Sequence, residues 1–369
     1  MAVYWSSREK RQTIKENEMN KNDKINVAVV GLGWVATNRH IPVLLQTPEL
    51  HLYGVVDKRA ERLQAILNKY PWLKASLSQS GEMSWTDEIQ AVLIATDPMN
   101  HFELAKKFLT AGKHVLMEKP LTMAPKESEE LVQISKDSGV SLCVVHNFQF
   151  ARSTLKLKKM IERGSLGELQ SIEALQLSNP RRRLPVWYEQ LPLGLFYDES
   201  PHMLYMLSAL AGKNINHLSS TIVQKIGQNT PLNITGYYEA GGMPVHLSMN
   251  FNAALSEWHI AVMGLKMIGV VDIFRDILVT LPNDGLHRAR EILASSASAI
   301  RTHLSGFMES GILLTQKKMF YGADIVWKIF TEHIKYGHPA NQISAEHGLR
   351  IVELQHQLIN KSNLVNIPI

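Results

Sequence analysis

The chain is 369 residues long, with 45% hydrophobic and 20% charged side chains, a globular composition that at roughly 150 residues per domain suggests two domains. Its formal net charge of +5 is not gathered into one stripe, which argues against nucleic acid as the main partner and for small anionic molecules. No stretch approaches the roughly 20 apolar residues of a membrane span, the first 24 residues lack the apolar core of a secretory signal, and a lone cysteine cannot close an internal disulfide, so a cytoplasmic protein with no membrane partner is expected.

Residues 1–24 read as a charged, solvated tail, with Met19 an expected natural start just before the first strand. From 25 to 147, β-rich runs alternate with helical periodicity. Strands are expected at Val27–Val30, Leu52–Val56, Ala91–Ala95, His114–Met117 and Leu142–Val145, with helices at Ile41–Leu45, Arg59–Lys69, His101–Ala111 and Lys126–Ser138. Near-continuous apolar strands separated by helices predict a parallel sheet covered on both faces. Cys143 falls within one such strand and reads as a buried, inert thiol.

The pattern changes over 148–369. A helix at Ser153–Arg163 is followed by a strand at Leu169–Leu177, a helix at His202–Ala211, and then six strand-like runs between Ser219 and Leu281 with no helix among them. That order predicts an α+β second domain built on a large, open, mostly antiparallel sheet. Helical periodicity returns over 284–335, where the Met and aromatic residues of 303–333 suggest a buried face, and a last amphipathic helix spans Ser344–Asn360.

Gly31-x-Gly33-x-x-Ala36 follows an apolar strand, the context that a dinucleotide fingerprint requires. Gly31 permits the tight turn, Gly33 lets the backbone approach a pyrophosphate, and Ala36 keeps strand and helix close. The amides of Trp34 and Val35 then point at the phosphates from a helix N-terminus. A second strand ends in Asp57, 26 positions after Gly31, near the roughly 20 expected for a ribose-binding carboxylate. Asp57 favours NAD, whereas Lys58 and Arg59 supply charge suited to the 2′-phosphate of NADP. NAD is the favoured cofactor and NADP the alternative.

Ala95-Thr96-Asp97-Pro98-Met99-Asn100-His101 and Ala111-Gly112-Lys113-His114-Val115-Leu116-Met117-Glu118-Lys119-Pro120-Leu121 resemble the signature of the glucose–fructose oxidoreductase/inositol dehydrogenase (Gfo/Idh/MocA) family. The resemblance implies a Rossmann domain at 25–147 and a substrate and oligomerisation domain at 148–369, whose open sheet assembles a dimer or tetramer. It places Thr96, Asp97, Pro98, His101 and Glu118 along the cofactor, and Lys119 between nicotinamide and substrate, on a Lys119–Pro120 peptide that is often cis in the family. It also places Asn147 against the substrate pocket, although the arginine often found shortly after that position is replaced by Phe148 or Gln149. Asp198 and His202 match the family's Asp-x-x-x-His, and in a helix their spacing puts both on one face. His202 is then the general acid/base, its ordinary pKa suiting proton exchange with a hydroxyl, and Asp198 orients it or holds a neighbouring hydroxyl.

Arg181-Arg182-Arg183 and Trp187-Tyr188 lead into this segment. Arg182 and Arg183 suit a carboxylate or diphosphate clamp, and Trp187 or Tyr188 a stacking platform, with a solvated basic loop as the equal alternative. Fifteen histidines form no metal-ligand spacing, and no metal is expected. The expected function is NAD(P)-dependent interconversion of a secondary alcohol and a ketone on a small-molecule sugar, cyclitol or sugar nucleotide. The alternatives are glycoside cleavage through transient oxidation, or a non-catalytic dinucleotide sensor.

Overall fold

The run Ile25–Val30 forms β1, and its residues alternate between two cores: Val27 and Val29 pack on one side, Ala28 and Val30 on the other. In this computed structural model, which describes residues 24–182, 184 and 186–368, five more strands join it in parallel. They are β2 Leu50–Asp57, β3 Lys74–Leu77, β4 Ala91–Ile94, β5 His114–Met117 and β6 Leu142–Val144. Their order, β3-β2-β1-β4-β5-β6, is that of a doubly wound nucleotide-binding sheet. The helices α1 Ile41–Gln46 (continuing a π-turn at Ala36–His40), α2 Ala60–Lys69, α3 His101–Thr110 and α4 Pro125–Asp137 alternate with them. The tail expected before β1, Met19 included, and Arg183 lie outside the described residues.

Beyond α5 Arg152–Glu162, the strands β7 Leu169–Leu177, β8 Asn216–Lys225, β9 Asn233–Ala240, β10 Met243–Asn250, β11 Glu257–Gly264, β12 Met267–Asp272 and β13 Ile277–Pro282 build a second sheet. The chain continues through α6 Leu195–Ala211, inserted between β7 and β8, and then α7 Ala289–Thr315, α8 Ala323–Tyr336, α9 Ala345–Asn360 and β14 Ser362–Ile367. The order is β13-β12-β11-β7-β10-β9-β8-β14. Only β7–β10 and β8–β14 run parallel, so the sheet is mostly antiparallel, as the helix-free run of strands suggested.

Two helices of this half tie the sheets together. Val326, Trp327 and Phe330 of α8 are buried within the apolar cluster that contains β1 and α1. Gly348 of α9 sits so close to β6 that a Cβ there would lie 2.6 Å from Val144 Cγ2. The strands β3 and β14 were not anticipated, since both are largely exposed and carry no alternating apolar face. The expectation that the Met and aromatic residues of 303–333 are buried holds for Trp327 and Phe330 but fails for Phe307 and Met308, which face outward. The reason is that α7 turns its small residues to the sheet.

Candidate active site

The carboxyl ends of β1, β2, β4 and β5 open on the crevice where strand order reverses, the usual ligand position in such sheets. Gly31 has φ +92°, and a Cβ there would lie 2.6 Å from the Ala95 carbonyl oxygen, so no other residue fits the turn. At Gly33 the opposite holds: a Cβ would meet no protein atom closer than Ala95 O at 4.0 Å. The backbone at Gly33 is therefore open and not taken up by internal packing. Trp34 and Val35 stand exposed at the rim, while Ala36 is fully buried behind them.

The carboxylate of Asp57 is buried at the end of β2, where it accepts from Leu32 N–H (2.6 Å) and Arg59 N–H (2.8 Å), with Arg62 at 3.6 Å. The glycine turn and the Asp57 carboxylate are thus tied into one unit. Across the crevice Lys58 Nζ reaches Asp97 Oδ2 at 3.5 Å. Thr96 donates its hydroxyl to the Asp97 carbonyl, and Pro98 is buried. His101 is fully buried, with Nδ1 2.7 Å from the Pro120 carbonyl and Nε2 without a partner among the described residues. It ties α3 to the loop after β5. These residues fit a dinucleotide: a bare turn at Gly31–Gly33, a fixed carboxylate at Asp57, and amides at the start of a helix.

That loop carries Glu118, Lys119 and a cis Lys119–Pro120 peptide. Trp327 donates its indole N–H to His40 Nδ1 (3.1 Å), so the His40 proton sits on Nε2 and is donated to Glu118 Oε1 (2.8 Å). Burial alone would raise the Glu118 carboxyl, but His40 and then Lys119 hold it below its ordinary pKa, so it stays an anion. Lys119 Nζ spans to α6, donating to Asp198 Oδ1 (2.5 Å) and the Asp198 carbonyl (2.8 Å). Both side chains are only slightly exposed, at 11% and 14%.

One turn further on, His202 Nδ1 is 2.9 Å from Tyr205 Oη. That oxygen accepts from Phe148 N–H and stands 3.5 Å from Asn147 Oδ1. Tyr205 donates its own proton to Asn147 Oδ1, so its oxygen accepts from His202 Nδ1–H as well as from Phe148 N–H, which leaves His202 Nε2 unprotonated. Burial, and then the Lys119 ammonium, His146 and Arg39, push the His202 pKa well below its ordinary value. His202 is accordingly a neutral imidazole at physiological pH. Burial likewise pushes the Tyr205 hydroxyl far up, so Tyr205 remains a donor.

The helix that carries this pair begins at Leu195, seven residues before the expected start, and contains Pro201. A proline in a helix interior leaves the carbonyl four residues back without its donor. Here that carbonyl is Tyr197 O, and buried Gln355 of α9 donates to it (2.8 Å) and contacts Ser200 Oγ (2.8 Å). Glu199, between Asp198 and His202, is buried against Gln176, Ser178 and Arg182. Arg182 therefore lies beside Asp198 with its charge met by Glu199.

Asn147 donates to the Tyr321 carbonyl (3.0 Å) and so braces the wall of the site. Trp187 and Tyr188 lie on a short turn at Val186–Gln190. Tyr188 bonds Glu189, which drives its pKa up to about 12, and the rings that pack on His202 are instead Phe148, Tyr205 and Trp258. Sequence reading missed His40, Arg39, Tyr205 and Tyr321. Arg39 lies 4.5 Å over the Tyr321 ring, close enough to Glu118 and His202 to act on their charge. Tyr205 carried a signal, since it stands one helical turn after His202. The others had none. Among the described residues one cluster has metal-like geometry, Glu257, His259 and Asp272, but Arg275 pairs with both carboxylates.

Residues 25–146 match the family model described as "Oxidoreductase family, NAD-binding Rossmann fold", and residues 154–267 match the Gfo/Idh/MocA C-terminal domain. The scyllo-inositol 2-dehydrogenase (NADP(+)) IolW of Bacillus subtilis is 30% identical over 189 residues, 50% of this chain and 51% of that one. The D-glucoside 3-dehydrogenase of Escherichia coli is 31% identical over 221 residues, 55% of this chain and 59% of that one. The chain thus spans about half the length of the curated relatives it matches. The WlbA dehydrogenase of Bordetella pertussis, solved with NADH and UDP-GlcNAcA, shares the fold with a TM-score of 0.74 at 17% identity, over 92% of this chain and 96% of that one.

Proposed function

From its place in the Gfo/Idh/MocA family, to which this chain belongs, we propose that it is an NAD(P)-dependent oxidoreductase interconverting a secondary alcohol and a ketone on a sugar, cyclitol or sugar nucleotide. The observation that carries the reading is the Lys119–Asp198 pair. A lysine from the dinucleotide sheet is held at 2.5 Å by a carboxylate from the second domain, with His202 one turn further along the same helix. The inositol and glucoside dehydrogenases among its relatives point to the same substrate class.

When bound along Gly31–Ala36, Asp57, Thr96–Pro98 and Glu118, the nicotinamide dinucleotide supplies the hydride acceptor or donor. The residues do the rest. His202, neutral and open at Nε2, takes the hydroxyl proton, and Tyr205 on its Nδ1 fixes the ring. The Lys119 ammonium stabilises negative charge developing on the reacting oxygen, and such a preorganised donor is worth about 3–4 kcal/mol of barrier. Asp198 holds that ammonium in place and offers an acceptor to a neighbouring hydroxyl. The fixed Asp57 carboxylate favours NAD over NADP, and assembly into a homo-oligomer through the open second sheet accompanies the activity.

The test is Lys119→Ala assayed against sugars, cyclitols and sugar nucleotides with each cofactor. We expect turnover to fall 10²–10³-fold while cofactor affinity, measured by fluorescence titration, stays within a few-fold. Near-normal turnover would overturn the assignment. Glycoside cleavage without net cofactor reduction would replace the dehydrogenase reading with a transient-oxidation one.

A further inference from the structure

The helix α7 is built inside out. Its sheet-facing side carries Ser298, Thr302, Gly306 and Ser310, and its opposite side the large apolar residues. The inner side has a clear purpose. β13 is the edge strand of the second sheet, and an edge leaves backbone groups unpaired. Thr302 Oγ1 accepts from Thr280 N–H (3.2 Å), and Ser298 Oγ donates to the Thr280 carbonyl (3.0 Å). Ser310 Oγ donates to the Arg275 carbonyl just before the strand (2.7 Å), and Gly306 lets the helix close on Ile277.

Among the described residues the outer side has no such account. Leu293, Ile300, Leu304, Phe307, Met308, Ile312 and Leu314 are each more than half exposed, Leu293 at 69%. Together they present on the order of 800 Å² of apolar surface, whereas the largest patch on a typical monomer is about 300–600 Å². An area near 800 Å² per partner is what a stable protein interface buries. A solvent-facing helix would carry charge on this side, yet between Ile292 and Gln316 the charged residues are Arg301 and Glu309, and Glu309 is turned to Arg152 and Lys156.

The spacing names the partner. Leu293, Ala297, Ile300, Leu304, Phe307, Gly311 and Leu314 recur at intervals of 4, 3, 4, 3, 4 and 3, the seam by which one helix packs against another. Their order of size (large, small, large, large, large, small, large) reads the same from either end, with Leu304 at the centre. A seam of that kind is complementary to itself across a two-fold axis, as an isologous interface requires. We propose that α7 pairs antiparallel with α7 of a second copy of this chain about an axis through Leu304, an interface separate from the open sheet face and lying outside both stretches matched by the family models.

Light scattering at tens of micromolar should give an even-numbered assembly for the wild type. Leu304→Glu should halve its mass while leaving the circular dichroism spectrum and cofactor binding unchanged, since the side chain is exposed and on a helix that carries none of the site residues. Leu304→Cys should give a disulfide-linked dimer on mild oxidation, because the native thiol, Cys143, is buried. A monomeric wild type, whose α7 would then be covered by another part of the chain or by a lipid surface, overturns the proposal. So does an unchanged mass for Leu304→Glu, or the absence of the cross-link.

Discussion

Gln355→Leu tests whether the site's helix is shaped from outside. Tyr197 O lacks its helical donor because residue 201 is proline, and Gln355 replaces that donor at 2.8 Å while also meeting Ser200 Oγ at 2.8 Å. All three groups are buried, and a buried polar group left without a partner costs about 1–3 kcal/mol. The serine hydroxyl can turn to a carbonyl of its own helix, so the Tyr197 carbonyl dominates and the expected loss is about 2–3 kcal/mol. For a protein of 369 residues that is a fall in Tm of roughly 3–4 °C. Pro201→Ala restores an N–H able to reach Tyr197 O, so on its own it should be neutral or stabilising. In the Gln355→Leu background it should recover at least about 1 kcal/mol, a coupling within the range known for residues sharing one hydrogen-bond network. Urea unfolding followed by circular dichroism on the four proteins measures the cycle. Strict additivity would show that Gln355 does not stand in for the missing donor.

Three further outcomes follow from the site. Because the His202 pKa is lowered from 6.5, its base form persists on acidification, so kcat for alcohol oxidation should hold its plateau below pH 6.5 and fall only at more acid pH. Stability should decline over that same interval, since the unfolded chain binds a proton there that the buried ring refuses; an activity limb at or above pH 6.5 would refute the assignment. Asp57→Ala removes the acceptor held by Leu32 and Arg59, so NAD affinity should fall at least tenfold with NADP affected less, as read by KM for each; equal losses would remove Asp57 from the ribose site. Burial pushes the Cys143 thiol up to about 12, so it should not react with a thiol-specific chromogenic disulfide at neutral pH until the protein is unfolded, and rapid labelling of the native protein would contradict its packing.

Much of the fold was legible because its rules are local. Apolar runs broken by helical periodicity defined the parallel sheet, Gly31 marked a turn that admits no Cβ, and the helix-free run from Ser219 to Leu281 indicated a second, mostly antiparallel sheet. The elements that escaped, β3 and β14, lack an apolar face and are held by strand pairing. The start of α6 escaped because Pro201 argues locally against a helix, and its remedy, Gln355, lies 158 residues from the carbonyl it serves.

The candidate site divides the same way. Glu118, Lys119, Asp198 and His202 could be read from short motifs, whose spacing reflects the backbone geometry of one loop and one helix. What the sequence could not supply was their company. His40 meets Glu118 across 78 residues, Trp327 meets His40 across 287, and Lys119 meets Asp198 across 79. These contacts set the proton on His40, keep Glu118 an anion and leave His202 neutral. By itself the sequence determined which chemical groups are present and which backbone elements carry them. Their protonation and orientation were decided only by tertiary structure, because burial and neighbouring charge belong to the packed interior and not to any local run of residues.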